Sequence, residues 1–437
     1  MLNLLRHPVF ARLFAAQVVA LLGTGLLSVA LGLLAFDLAG ADAGTVLGTV
    51  YAIKMVAYVG LAPLATAALA NLPRKAVLVG ADLIRAVVAV ALPFVTEIWQ
   101  IYVLIFVLQA ASATFTPVFQ ATIPDILKDE RRYTRALSLS RLAYDLESLL
   151  SPAMAALLLG LMSYSNLFLG TVMGFALSTL LVARAAIPAA QSQHQPFWTR
   201  VTKGTRIYLA TPRLRGLLAL TLVAAAGSAF VIVNTVVIVR GAFGGGEVAL
   251  GVAMASYGAG SMVVALGLPP LLDRVGDRTV MLVGGMVMVG LLAVLAGAIG
   301  VTSWLALLVL WVLLGMAYSS LVTPAGRLLR RSAHSGDRAA VFAAHFALSH
   351  LCWLFTYPMA GWIGGRISLS AALLALAVLS AIGVVLALRL WRPDSRAPIA
   401  HAHDDLPPDH PHLAGGQGPH AHPVVIDALH PNWPHRP

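Results

Sequence analysis

Twelve stretches of mostly apolar residues, each long enough to cross a lipid bilayer as a helix, run through this sequence of 437 residues. A hydrocarbon layer of about 30 Å needs roughly 20 such residues when they form a helix. We expect helices rather than strands, because the stretches do not alternate apolar and polar residues and lipid offers an open strand edge no hydrogen-bond partner. The predicted spans are 12–36, 45–70, 76–95, 99–120, 137–161, 164–184, 216–240, 247–271, 279–299, 302–323, 338–363 and 369–391.

The amino-acid composition agrees with a chain whose main solvent is lipid. Hydrophobic residues make up 59% of it and charged residues 11%, whereas soluble domains are about half apolar and about a quarter charged. A single cysteine, Cys352, excludes an internal disulfide. The sequence therefore predicts an all-α polytopic membrane protein, and it excludes a soluble globular domain and a disulfide-stabilised secreted one.

A duplication divides the predicted helices into two pseudo-symmetric six-helix bundles. Thr116-Pro117 is followed by Ser151-Pro152, and Thr323-Pro324 is followed at nearly the same distance by Tyr357-Pro358. Matches in register at several places indicate an internal repeat. The predicted units are a first bundle at 1–184, a linker with a membrane-surface amphipathic helix at 185–215, a second bundle at 216–395, and a tail at 396–437.

The positions of the basic residues predict the orientation of the spans. With the N-terminus inside the cell, the external connections contain only Arg240 and Arg366, and most of the 29 Lys and Arg residues lie on the other side. Because basic loops stay in the cytoplasm, we expect a multi-pass protein of a bacterial-type inner membrane with both termini cytoplasmic. The lipid bilayer is the expected partner, and nucleic acid is excluded because no single face gathers the basic charge.

Two turns resemble the signature of the major facilitator superfamily, G-x-x-x-D-R-x-G-R-[KR], after the second span of each half. The matching residues are Arg74 and Lys75 in the first half and Asp273, Arg274, Gly276 and Arg278 in the second. Ala70 stands at the acidic position of the first half. The resemblance covers residues 5–395 and implies the twelve-helix facilitator fold, with these turns acting as a conformational latch that pairs with helix ends.

Two narrower resemblances concern the cargo. The stretches ADLIRA at 81–86 and FTPVFQATIPDIL at 115–127 are similar to the drug and macrolide exporters of the superfamily. The stretch AHFALSHLCW in span eleven, together with the His-rich tail, resembles its nickel-resistance exporters. The first resemblance implies an organic cargo, and the second implies a divalent metal ion.

Ionisable residues inside the spans are expensive in lipid, so each requires an explanation. Asp82 and Arg85 are three residues apart, and Arg141 and Asp145 are four apart, so each pair shares one helical face. This spacing is typical of neutralised structural pairs as well as of coupling sites. Glu147 has no basic partner on its own helix, so it is either a proton-coupling group or a hydrogen-bonded packing residue. Lys54, alone in span two, is either the counter-charge of Glu147 or the partner of another span. The candidates for proton coupling or intramembrane charge are Asp82, Arg85, Arg141, Asp145, Glu147 and Lys54.

Span eleven carries the predicted metal ligands of the transport path: His345, Ser349, His350 and Cys352. Imidazole and thiolate groups suit nickel, cobalt, zinc and copper. A buried histidine that is only hydrogen-bonded within the core is the alternative interpretation. At 100° per residue, His350 points away from the face that His345, Ser349 and Cys352 share.

The tail is rich in His, Pro, Gly and Asp, a composition that cannot bury a core and predicts disorder. Its His-x-His spacings allow two imidazoles to reach one divalent ion, and a flexible tether of this kind would concentrate metal at the internal mouth. A solvated tail without metal is the alternative. The candidate tail ligands are His401, His403, His410, His412, His420, His422, His430 and His435.

No motif for an enzyme is present, since the sequence lacks phosphate-binding loops, H-E-x-x-H and a nucleophile elbow. The energy for transport would then come from an ion gradient. We predict a monomeric exporter of nickel or cobalt driven by proton antiport, which confers metal resistance and needs no cofactor. The alternatives are a proton-coupled exporter of drugs or macrolides and, from another class, a membrane metal sensor.

Overall fold

A computed structural model describes residues 2–39, 43–188, 196–300, 303–391, 399–401, 420–422, 424–427, 429–430 and 432–433. Helices account for almost all of the structure. Its α-helices are α1 (Pro8–Ala39), α2 (Ala43–Ala68), α3 (Arg74–Ala91), α4 (Ile98–Ile126), α5 (Glu130–Leu159), α6 (Leu167–Ala183), α7 (Phe197–Ala210), α8 (Pro212–Phe243), α9 (Glu247–Arg274), α10 (Asp277–Ala298), α11 (Trp304–Val322), α12 (Ala325–Arg331), α13 (Arg338–Pro358), α14 (Gly364–Arg366) and α15 (Leu369–Leu390).

Shorter elements complete the described chain. They are 3₁₀ turns at Leu2–Arg6, Leu92–Phe94 and Tyr164–Asn166, a π-helical turn at Met359–Ile363, and strands β1 (Ile399–His401) and β2 (His420–His422), which pair antiparallel. The π-helical turn directly follows Pro358, and it carries α13 into α14. A proline lacks the N–H that an α-helix needs at this position, so the widened turn is its local consequence.

The structure confirms the predicted fold of twelve membrane-crossing helices. Among the described residues, eleven helices are long and apolar enough to span a bilayer. The twelfth is α5, which has 30 residues but a much less apolar composition, because it carries Arg141, Asp145, Glu147 and a cluster of basic residues at its start. The span with the weakest apolar signal is therefore the one that carries half of the predicted intramembrane charges.

The spans form two bundles, α1–α6 and α8–α15, with α7 between them. Each bundle has its own large buried residues: Phe10, Phe119 and Phe168 in the first bundle, and Phe230 and Trp311 around α8 in the second. The bundles meet where α2 packs on α13 and α5 packs on α9. Functional side chains on α2, α5, α9 and α13 therefore lie at the boundary between the two halves.

One end of the molecule, which we call the basic end, holds the end of α4 at Ile126, the start of α5 at Glu130, the start of α10 at Asp277, and α12. The linker helix α7 lies at this end. Its Lys203 pairs with Asp337 at 2.6 Å, and the Tyr208 hydroxyl lies 3.0 Å from Nδ1 of His345 on α13. The sequence predicts a helix that lies along the membrane surface, whereas α7 also buries one face against α13 and α2.

Part of the tail also packs at the basic end. Val424 and Ile426 are buried, the Arg213 guanidinium lies 5.5 Å above the Trp433 ring, and the Asp427 carboxylate lies 3.3 Å from His334. The packing of these residues contradicts the disorder predicted for the tail. They supply apolar side chains, which the His-Pro-Gly stretches of the tail lack. Four predicted tail ligands lie outside the described residues: His403, His410, His412 and His435.

Candidate functional site

Helix α5 places two charged residues at the boundary between the halves. Arg141 pairs with Asp145 one turn later, as their spacing predicts. Its Nε also donates a hydrogen bond to the Ser261 hydroxyl of α9 at 3.0 Å, and the guanidinium lies 5.0 Å above the Tyr318 ring of α11. Arg141 therefore connects its own helix to two helices of the other half. The Asp145 side chain, 3% exposed, neutralises this cation within the interface.

Glu147 lies on another face of α5, directed toward α1. It is partly buried, and its side chain and that of Ser151 approach Gly25 of α1 closely enough to leave no space for a larger residue there. A Cβ atom at Gly25 would lie 2.0 Å from the Ser151 hydroxyl and 2.9 Å from Glu147 Oε1. The carboxylate is thus held against a neighbouring backbone, and Gly25 makes that approach possible.

We expect Gly25→Ala to reduce transport strongly, because the added methyl group must displace Ser151 and the Glu147 carboxylate together. Gly32→Ala on the same helix is the matched control, since a Cβ there meets nothing within 4 Å. Replacing that glycine should instead stabilise α1 by up to about 1 kcal/mol. Substrate flux and thermal unfolding of both purified variants check the prediction, and equal flux in the two would contradict it.

Lys54 of α2 lies near Glu147. The two interact electrostatically, although no direct hydrogen bond joins them, and the Lys54 ammonium also lies 5.6 Å above the Tyr58 ring. A cation above an aromatic face is stabilised without a fixed anionic partner. The site therefore holds an anion and a cation close together, and neither is committed to a tight salt bridge.

Tyrosines surround these charges on both sides of the boundary. Tyr58 contacts the rings of Phe346 and His350 on α13 at 4.8 and 4.7 Å, and Tyr257 contacts Tyr318 at 5.9 Å. The tyrosines around the central charges are Tyr51, Tyr58, Tyr144, Tyr257, Tyr318 and Tyr357. Sequence reasoning missed this group. The available signal was the recurrence of tyrosines on α2, α5, α9, α11 and α13.

Asp82 and Arg85 lie away from this site, within the first bundle. Asp82 is fully buried, pairs with Arg85, and accepts a hydrogen bond from Ser178 of α6 at 2.6 Å. The Arg85 guanidinium lies between the rings of Phe115 and Phe175, at 4.4 and 4.7 Å. Such a neutralised and enclosed pair fits the structural alternative, in which it orders the packing of α3, α4 and α6.

The four residues predicted as transport-path metal ligands make hydrogen bonds within the protein. His345 bonds to Tyr208 of α7, while His350, Ser349 and Cys352 bond to backbone carbonyls one turn earlier on α13. Within the described ranges, no group of three or more His, Cys, Asp or Glu side chains is arranged to hold a metal ion. The structure therefore does not bring the predicted α13 ligands together.

Two ion networks join the halves at the basic end, and we call them the gate trios. In the first trio, the Asp125 carboxylate near the end of α4 binds Arg74, the first residue of α3, and Arg338, the first residue of α13 in the other half. Arg74 lies 2.5 Å from it and is 5% exposed. One carboxylate thus neutralises two helix-start cations, which the positive end of each helix would otherwise repel.

In the second trio a cation lies between two carboxylates: Arg327 of α12 binds Asp277, the first residue of α10, and Glu130, the first residue of α5 in the other half. A fourth residue, Arg331, binds the same two carboxylates. Asp277 is fully buried, and Arg327 lies 2.9 Å from it. Here cations bind two carboxylates at helix starts, where acidic residues are favoured.

Two segments of the chain, residues 13–239 and 216–414, match the model of the Major Facilitator Superfamily. Together they cover almost the whole membrane domain, and the twelve-helix fold agrees with them. The chain belongs to the major facilitator superfamily. It is accordingly a transporter of this family rather than an enzyme, and it is embedded in a lipid bilayer through many helices.

Relatives of this facilitator include macrolide exporters. Macrolide efflux protein A of Streptococcus pyogenes is 23% identical over 323 residues, which cover 70% of this chain and 77% of that protein. The protein of the same name from Enterococcus faecalis is 28% identical over 120 residues, 26% of this chain and 37% of that protein. These similarities agree with the drug-exporter-like sequence motifs in α3 and α4.

Solved facilitators share the fold at low identity. The human organic anion transporter MFSD10 has a TM-score of 0.71 at 13% identity, covering 87% of this chain and 99% of its own. A bacterial homologue of the iron transporter ferroportin in its outward-facing state has a TM-score of 0.71 at 14% identity, with the same coverages. The Escherichia coli fucose:proton symporter has a TM-score of 0.67 at 15% identity, covering 88% of this chain and 98% of its own.

The residues predicted as a latch are distributed around the gate trios. Arg74 belongs to the first trio, and Asp273 forms a looser cross-half pair with Arg131 at 3.4 Å. Gly276 adopts φ 85°, a left-handed conformation that glycine allows at the start of α10. Arg278 donates to the carbonyl of Trp391 at 2.8 Å. Lys75 and Arg274 lie beside these residues, at the start of α3 and the end of α9.

Proposed function

We propose that this facilitator exports amphipathic organic compounds in exchange for protons. The observation that carries the proposal is the polar site between the halves, where Glu147 and Lys54 lie among tyrosines. Aromatic faces bind organic rings and cations by stacking and cation–π contacts. Tyrosine hydroxyl groups add hydrogen-bond partners, which suits a cargo with both apolar and polar parts.

Glu147 is the proposed proton carrier. It is partly buried, near a cation that forms no tight salt bridge with it, and held against α1 at Gly25. A carboxylate in this position can change its charge as the cycle proceeds, whereas Asp145 is tied to Arg141. Arg141 in turn bonds to Ser261 of the other half, so we assign that pair to the contact between the halves.

The basic end is proposed to face the cytoplasm of a bacterial-type inner membrane, because loops rich in Lys and Arg remain inside. In this orientation, both termini are cytoplasmic and the gate trios close the internal side. Glu147 would then exchange protons with the outside in this state. Export follows if cargo enters when the basic end is open. We propose a monomer as the working unit, since the two halves of one chain complete the site.

Macrolide accumulation in cells tests the function directly. Cells that express the intact chain should accumulate less erythromycin than cells with an empty vector, and a protonophore should remove the difference. Gly32→Ala should behave like the intact chain, and Glu147→Gln should behave like the empty vector. Equal accumulation of several macrolides and other amphipathic drugs in all strains would contradict organic export.

Export of nickel or cobalt is the second hypothesis, and the histidines of the tail support it through their spacing. Cells expressing the chain would then tolerate more nickel, and truncation after Trp391 would weaken tolerance at low metal concentrations. If nickel tolerance is unchanged by expression while erythromycin accumulation falls, the metal hypothesis is wrong. A membrane metal sensor would instead bind metal without moving either cargo in proteoliposomes.

A further inference from the structure

A pocket at the basic end lies outside the polar site and borders the first gate trio, with which it shares Arg74. It is enclosed by the end of α2, the start of α3, the second half of α4, the linker helix α7, and the start of α13. Small apolar residues form most of its wall, including Ala67, Ala70 and Ala340. Its polar lining includes Thr66, Arg74 and Arg200.

Three polar atoms of this lining are buried without a hydrogen-bond partner: Thr66 Oγ1, Arg74 Nε and Arg200 Nε. Thr66 is only 8% exposed and Arg74 only 5%. Buried polar groups are nearly always satisfied by protein, water or ligand atoms. Three unsatisfied groups in one pocket therefore indicate a ligand rich in hydrogen-bond acceptors, since both guanidinium nitrogens can only donate.

The charge balance of the pocket is positive. Lys203 is neutralised by Asp337 at 2.6 Å, and Arg74 is neutralised by Asp125 at 2.5 Å. The Arg200 side chain has no ion pair or hydrogen bond within the described ranges. Ala70 lines the pocket at the position where the signature turn carries an acidic residue. The positive charge of Arg200 therefore favours an anionic ligand.

We propose that this pocket binds a phosphate-bearing anion, with Arg200, Arg74 and Thr66 as its ligands. Guanidinium groups match the geometry of phosphate oxygens, and the threonine hydroxyl can donate to a third oxygen. The apolar wall leaves room for carbon atoms beside the phosphate. Phe197 and Trp198, 37% and 70% exposed at the start of α7, lie next to Arg200 as residues of a membrane interface do.

Two sources can supply this chemistry: the headgroup of an anionic phospholipid and free phosphate. In either case the anion joins α7 to α3 and α2, because its ligands come from all three helices. The site shares none of its three ligands with the polar site between the halves. It assigns to the linker helix a binding role in addition to its connection of the two bundles.

Ligand binding to the purified full-length protein in detergent tests the proposal. Native mass spectrometry measures bound phosphatidylglycerol against phosphatidylcholine, and thermal unfolding measures the response to inorganic phosphate. Arg200→Gln should weaken binding of the anion about tenfold, the loss expected for a charge-assisted hydrogen bond. Arg206→Gln removes the same charge from the exposed face of α7, which does not line the pocket, and should bind like the unchanged protein.

Thr66→Val is the second variant, because it keeps the size of the side chain and the net charge but removes the hydroxyl donor. It should weaken anion binding several-fold, which a diffuse attraction of basic residues for lipid would not do. Selective binding of phosphatidylglycerol alone identifies the lipid as the source, and a response to phosphate as well identifies the anion itself. Failure of both ligands to bind, or equal losses in Arg200→Gln and Arg206→Gln, overturns the proposal.

Discussion

Replacing Asp125 by Asn is expected to open the basic end of the protein. The substitution removes the charge that neutralises Arg74 and Arg338, and leaves two guanidinium groups, 5% and 17% exposed, facing an uncharged amide. Breaking a buried ion pair on one side costs about 3–5 kcal/mol, because the remaining charge has no partner. The contact with Arg74 lies within the first half and is lost in both states, whereas the contact with Arg338 joins the halves. Loss of the cross-half contact destabilises the closed state alone, so the equilibrium shifts by a factor of about 100 or more.

Distances between spin labels at Leu72 and Val275, in a Cys352→Ser background, measure this shift, since both positions are exposed in the signature turns of the two halves. Asp125→Asn should lengthen the main distance. Asp273→Asn is the control, because Asp273 is 39% exposed and lies 3.4 Å from an Arg131 that is 74% exposed. Exposed pairs contribute about 0–1 kcal/mol. The same distance distribution in both variants would show that the first trio does not hold the end closed.

Replacing Glu147 by Gln is expected to abolish proton-driven transport while cargo exchange continues. The amide keeps the size and hydrogen-bonding capacity of the side chain, but it has no proton to release. Transport driven by a pH gradient in proteoliposomes should fall by at least about tenfold. The variant no longer carries a proton across the membrane in its transport cycle, so the gradient cannot drive that cycle. Exchange of labelled for unlabelled cargo without a gradient should remain within a few-fold of the unchanged protein.

Glu97→Gln provides the matched control for this experiment. Glu97 is an exposed carboxylate that caps the start of α4 in the same half, so the substitution makes the same chemical change away from the polar site. Its variant should couple transport to protons normally. If the Glu147→Gln variant still used a pH gradient to concentrate cargo, the prediction would be wrong, and another group would have to carry the proton.

Local spacing predicts the charged pairs correctly, while the contacts between the halves cannot be found in this way. Residues three or four apart on one helix face the same side, so the pairing of Asp82 with Arg85 and of Arg141 with Asp145 follows from the sequence. Asp125 lies 213 positions before its partner Arg338. Only the packing of α4 against α13 brings them together, and nothing in the local pattern marks Asp125 as special.

The histidines of α13 show the same limit of prediction from local sequence spacing. Periodicity indicates correctly that His345 and His350 point in different directions, but it cannot identify the side chains opposite them. His345 binds Tyr208 from a helix outside the membrane spans, and His350 lies against Tyr58 of the other half. Both partners depend on tertiary packing. The sequence thus predicts which polar residues face the interior of the protein. The packing decides whether they contact a metal ion, an aromatic ring or a hydroxyl group.

The opposite signs of the gate trios have a consequence for how the ancestral copies can associate. Two first bundles placed face to face would set Asp125 against Glu130, and two second bundles would set Arg331 against Arg338. Each self-association brings like charges together at this end, which is unfavourable. Only unlike bundles attract. A symmetric dimer of either half would therefore be disfavoured at this end, and the single chain keeps each half with its electrostatic complement.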